Sequence, residues 1–97
     1  MTKDEFLASV QSDPEPPGAL SLELQSLWHA CKGDWDRAHK VAQDIPSPAG
    51  SWVHANLHRE EGDIGNARYW YARADKQESD APIEQEREQI IQALLAG

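Results

Sequence analysis

His54 and His58 stand four residues apart, a spacing that projects both imidazoles from one face of an α-helix. Two imidazoles so placed can share a zinc ion, and Glu61, three residues further on, lies within reach as a third ligand. Proteolytic zinc helices carry a glutamate directly after the first histidine as general base. Ala55 stands there, which excludes that chemistry. Packing competes with ligation for the same residues. His58 and His29 fall inside helical hairpins, His54 borders a core stripe, and His39, between Trp35 and Ala42, reads as a core-edge residue. Packing is the preferred reading, so neither a metal nor any other cofactor is expected; ligation by His54 and His58 is the alternative.

Two further groups carry recognition chemistry. Trp52, Asn56 and Arg59 step along a different side of the same helix. Arg59 offers a planar fork for a carboxylate, Asn56 both donates and accepts, and Trp52 supplies a flat apolar contact. Asn66, Tyr69 and Arg73 share a face of the following helix, where an amide, a phenol and a guanidinium in line could hold an anionic ligand against an aromatic wall. The competing reading is ordinary helix surface, with Arg59 paired to Glu60, Asp63 or Glu23 and Arg73 solvated. Cys31 shares an apolar face with Trp28 and reads as a small hydrophobe, since His29 points elsewhere and no base stands beside it. With no Gly-rich phosphate loop and no nucleophile elbow, no catalytic residue is expected.

The elements that must position these side chains are short helices. The 97 residues suffice for one domain. Phe6, Leu7 and Val10 form a stripe behind a Thr2–Glu5 capping box, and Asp13-Pro-Glu-Pro-Pro-Gly18 ends that first helix. Leu20, Leu24, Leu27, Trp28 and Cys31 mark a second helix ending at Gly33, and Asp34 caps a third from Trp35 to Asp44. Ile45-Pro-Ser-Pro-Ala-Gly50 reads as a break. Ser51 then caps a fourth helix over 52–61, Asp63 a fifth to about Asp75, and Asp80 with Pro82 opens the last. The segments are thus 1–18 (helix and Pro-rich linker), 19–45 and 51–75 (two hairpins) and 80–97 (a capping helix). No stretch alternates as a half-buried strand would, so the fold is all-α with five to six helices.

Charge sharpens the picture. Residues 1–25 and 77–97 each carry five acids and one base, whereas 26–76 hold seven of each together with every Trp, Tyr and His. A net charge of −8 argues against nucleic-acid or anionic-membrane partners. One cysteine excludes a disulfide framework. Without a signal-like or membrane-spanning stretch, the expected location is cytoplasmic.

The chain also repeats itself. Gly33-Asp-Trp-Asp-Arg-Ala38 returns as Gly62-Asp-Ile-Gly-Asn-Ala67, and the same offset of 29 residues pairs His29 with His58. Each copy is an αα-hairpin turning on a Gly-Asp corner. The second copy resembles a tetratricopeptide (TPR/SEL1-like) repeat, with Ala67, Tyr71 and Ala74 on its spaced Ala, aromatic and Ala positions and Ala55 on its small one. The run from His54 to Gly62-Asp, then Asn66-Ala-Arg-Tyr-Trp-Tyr71, is also similar to a family of small bacterial helical proteins. The tetratricopeptide resemblance implies a concave groove along the fourth helix. It makes a non-catalytic interaction module the leading expectation, with a peptide or protein held by Trp52, Asn56 and Arg59. A small-molecule or metal-binding protein using His54, His58 and the Asn66–Tyr69–Arg73 face is the alternative, and self-association as a homodimer through an exposed Trp patch is a third reading.

Overall fold

The computed structural model describes residues 1–97 and contains six helices and no strand: α1 Lys3–Ser12, α2 Leu22–Cys31, α3 Trp35–Ala42, α4 Pro48–Glu61, α5 Ile64–Ala74 and α6 Ile83–Ala96. Local chemistry sets most boundaries. Thr2 and Glu5 complete the capping box in both directions, at 3.1 and 2.8 Å. The two hairpin corners are built alike. Gly33 and Gly62 both take left-handed φ, near 90°, and Asp34 and Asp63 each accept from the amide three residues on. The amides of Asp34 and Asp63 donate back to His29 and His58 carbonyls, both at 2.9 Å. The 29-residue repeat is therefore a repeat of geometry.

Two boundaries depart from expectation. α6 begins at Ile83 with Pro82 as its N-cap residue and no side-chain cap from Asp80. α4 begins at Pro48, capped by Ser47, and not after a break ending at Ser51. Proline has no amide hydrogen and a fixed φ, which suits the first turn of a helix as well as it disrupts the interior. The early start brings Gly50 against Ile45, where a Cβ would lie 2.5 Å from the Ile45 Cγ2.

The main core joins five helices: Phe6 and Val10 from α1, Leu24, Leu27, Trp28 and Ala30 from α2, Ala38 and Ala42 from α3, Val53 and Leu57 from α4, Ile90 and Ile91 from α6. A smaller cluster of Ala55, Ala67 and Tyr71 closes α4 on α5. Small residues at those contacts let the helices approach closely, and each fully buried Leu, Ile or Phe contributes about 1.5–3 kcal/mol. The acidic end helices thus complete the core that the two hairpins leave open. No helix is long and apolar enough to cross a membrane.

α6 is fastened to α4 and α5 by a buried polar network around Glu86, which is only 2% exposed. Its carboxylate accepts from Asn56 Nδ2 at 2.8 Å, Arg59 Nη1 at 2.7 Å and the Tyr71 hydroxyl. Arg87, beside it, donates to Asn56 Oδ1 at 2.8 Å and to Glu60. Burial and the Glu86 carboxylate push the Tyr71 phenol up, so it stays a donor. Removing the charge of a buried, paired carboxylate strands its cation. Glu86→Gln is expected to lower unfolding stability by about 3 kcal/mol, against less than about 0.5 kcal/mol for Glu88→Gln on the exposed pair with Lys3. Equal denaturant midpoints for the two variants would dismiss the network as a determinant of the fold.

Candidate metal centre

α4 presents two working faces. The side towards α3 and α5 carries His54 and His58, one turn apart as their spacing requires, with rings stacked at 4.8 Å between centroids. α3 adds His39, whose Nε2 lies 3.0 Å from the His54 Nε2. Its ring stands at 80° to both partners. Two tryptophans hold the outer rings. Trp35 stacks on His39 at 4.8 Å and donates its indole N–H to the Leu57 carbonyl at 2.7 Å, pinning α3 to α4. Trp70, from α5, lies flat on His54 at 3.9 Å.

The arrangement favours unprotonated rings. His54 is 4% exposed, and burial, then the neighbouring His39 and His58, lowers its pKa to about 4. Burial, then His58, also lowers that of His39. Neutral imidazole is the form that ligates metal. Glu61 accepts a hydrogen bond from His58 Nδ1 at 3.0 Å, which fixes the tautomer and leaves a lone pair on Nε2 of the neutral ring. Glu61 therefore orients His58 and does not converge with the three rings as a third ligand. Every fully buried side-chain nitrogen and oxygen has a hydrogen-bond partner, so the ring nitrogens without one, His58 Nε2 among them, open onto solvent.

One ligand nitrogen from each of His39, His54 and His58 lies within 4.8 Å of the others. Zinc–nitrogen bonds of about 2.0–2.1 Å in a tetrahedron put ligand nitrogens roughly 3.3 Å apart. The His39–His54 pair stands near that spacing. Three imidazoles suit zinc, copper or nickel, and leave a fourth position open. A second set, His58, Glu61 and Asp63, also has its ligand atoms within 4.8 Å of one another, but two of its three members are exposed acids.

The other candidate residues are placed differently. Asn56 is fully buried and Arg59 nearly so, both beneath α6, with Asn56 also donating to the Ile83 carbonyl and Arg59 to that of Ala81. The groove expected along this side of α4 is filled by the chain's own α6, and the carboxylate that the Arg59 fork holds is Glu86. Trp52 is half-buried under the Lys76 ammonium, 4.4 Å from its ring. Asn66, Tyr69 and Arg73 are all exposed; Asn66 leans on Asp63, and Arg73 donates to the Tyr69 hydroxyl at 3.2 Å. Cys31 is half-buried and burial pushes its thiol up to about 11, which keeps it protonated and inert. His39 is the residue that spacing could not supply, because its partners lie on another helix. No protein-family model, curated protein or solved structure matches this chain, so the site geometry carries the functional argument.

The lowered His54 pKa has a consequence for stability. Between pH ~6.5 and ~4 the unfolded chain holds a proton on this residue that the folded one does not, so stability rises with pH across the window and levels off above it. His39 acts in the same direction. In the presence of a chelator, the loss from pH 7 to pH 4 due to His54 is expected to be on the order of 2 kcal/mol. Melts at several pH values check it, and a His54→Gln slope as steep as wild type would refute the assignment.

Proposed function

We propose that this protein binds a divalent transition-metal ion, zinc in the first instance, through His39, His54 and His58. The observation that carries this reading is the gathering of three imidazole nitrogens from two helices within 4.8 Å of one another, two of them on rings whose pKa burial lowers and the third on a ring whose other nitrogen is bound to Glu61. A carboxylate on the outer nitrogen of a ligating histidine sets ring orientation and raises ligand basicity. The peptide-groove reading draws less from this arrangement, because the donors it relied on, Asn56 and Arg59, are already bound to Glu86. The ion would join α3 to α4 and stabilise the pair of hairpins, by about 2.7 kcal/mol when present at a hundred times its dissociation constant.

Titration of metal-free protein with zinc against a chromophoric chelator tests the reading, and elemental analysis of dialysed protein counts the ions. One zinc per chain is expected, lost in both His54→Ala and His39→Ala, with affinity reduced roughly 10–100-fold in Glu61→Gln. Circular dichroism separates ligand loss from unfolding, and the half-exposed His39 is the safer variant. Cu²⁺ in place of zinc is expected to quench the fluorescence of Trp35 and Trp70, which lie against two of the ligands. Undiminished zinc binding in His39→Ala together with loss in Asp63→Asn would transfer the ion to the His58–Glu61–Asp63 set. No stoichiometric binding by wild type would end the reading.

A further inference from the structure

Trp52 belongs to neither the Glu86 network nor the histidine cluster. It lies in a groove of about 520 Å³, where the first turn of α4 meets the C-terminal ends of α5 and α6. Trp52 and Leu94 supply its apolar walls, and the groove stays open because Ala49, Ala74 and Ala93 reach no further than a methyl group. The end of α5 brings two charges to its rim. Asp75 takes a left-handed conformation, φ 57°, that turns the chain back, and the Lys76 amide closes the turn on the Tyr71 carbonyl at 3.1 Å. Both side chains line the groove, with the Lys76 ammonium laid over the Trp52 ring, 4.4 Å from its centroid. These polar groups are unspent. Asp75 and Lys76 form no ion pair with each other or with any other residue, and neither side chain makes a hydrogen bond. The Trp52 indole N–H has no protein acceptor either, whereas those of Trp28 and Trp35 donate to the Ser9 hydroxyl and the Leu57 carbonyl.

We propose that this groove binds an apolar α-amino acid as its zwitterion, side chain against Trp52 and Leu94, carboxylate on Lys76 and ammonium on Asp75. The site shares no residue with the histidine cluster and is independent of the metal reading. An apolar wall with one charge of each sign at its rim selects this class of molecule. A simple carboxylic acid would meet Asp75 as well as Lys76, and a simple amine the reverse; a zwitterion meets each charge with its opposite. The volume falls within the range of about 300–1,000 Å³ usual for small-molecule sites. Contact with Trp52 holds Lys76 in place, so less side-chain freedom is lost on binding.

The reporter is the Trp52 indole N–H resonance of ¹⁵N-labelled protein, identified by its loss in Trp52→Phe. Titrations with L-leucine and L-phenylalanine are run with a chelator present, so that their outcome does not depend on a metal. A saturable shift is expected with at least one of the two amino acids, and none with glycine at the same concentrations. The N-acetyl derivative lacks the ammonium and the amide lacks the carboxylate, and each should bind roughly tenfold or more weakly than its parent. Lys76→Gln should abolish the advantage of the parent over its amide, and Asp75→Asn, which keeps a residue suited to the left-handed turn, its advantage over the N-acetyl form. Ala93→Leu, at an exposed position, should fill the groove and remove the shift while circular dichroism stays unchanged. No saturable shift from either amino acid, a blocked derivative that binds as tightly as its parent, or wild-type discrimination in both charge variants overturns the proposal and leaves the histidine site untouched.

Discussion

A buried carboxylate shared among three helices is the constraint on which the rest of this molecule depends. Glu86 is almost without solvent, and water is replaced by donors from α4 and α5: an amide, a guanidinium and a phenol. Desolvating such a group costs several kcal/mol, and hydrogen bonds to a charged group return about 1.5–3 kcal/mol each. The two nearly cancel, so the network contributes little net stability. It selects a register instead. Slide α6 by one turn and Glu86 loses all three donors while Asn56, Arg59 and Tyr71 are left facing Pro82 or Ile90. The apolar stripe of Ile90 and Ile91 alone would tolerate neighbouring registers far better, because hydrophobic contact is non-directional.

Fixing α6 has a consequence on the opposite side of α4. The same helix that spends Asn56 and Arg59 on α6 has its histidines turned towards α3 and α5, and its middle turns are buried on both sides. The Trp35 indole bond to Leu57 then sets the distance of α3 and brings His39 to His54. Both hairpins use the same Gly-Asp corner, yet only the junction between them gathers three imidazoles. His29, the counterpart of His58, is buried against Trp28 with no second ring histidine in contact. The cluster is a property of how the two copies pack on each other, and neither copy contains it alone.

This division explains what could be read from the sequence. Helix number, the two corners and their caps, and the pairing of His54 with His58 follow from rules that act over three or four residues, and those rules were sufficient. The start of α4 was not legible from Pro48 alone, since the same proline ends one helix or opens another according to which serine caps it. The chemistry of Asn56 and Arg59 was legible as carboxylate recognition, but the partner, Glu86, lies 30 and 27 residues away, and no local pattern announces it. The place of His39 beside His54 was invisible for the same reason: its only sequence signal was a position on the edge of an apolar stripe. Tertiary partners, in short, decide which face of a helix is surface.

Packing accounts for part of the histidine cluster, and the part it does not account for is informative. Stacking between Trp35 and Trp70 explains why flat rings lie here, and a phenylalanine or tyrosine would fill much the same volume. Imidazole brings a cost that those residues do not: two ring nitrogens each, which must be bonded or wetted. Here the six nitrogens make one bond between His39 and His54 and one to Glu61, and burial has already stripped His54 of the charge that would make it a useful ion-pair partner. A fold seeking only density would remove the nitrogens, and one seeking only hydrogen bonds would place acceptors opposite them. Three clustered rings with half of their nitrogens left to water and a carboxylate behind the third meet neither aim closely, whereas a cation among them would use lone pairs that the fold leaves unspent.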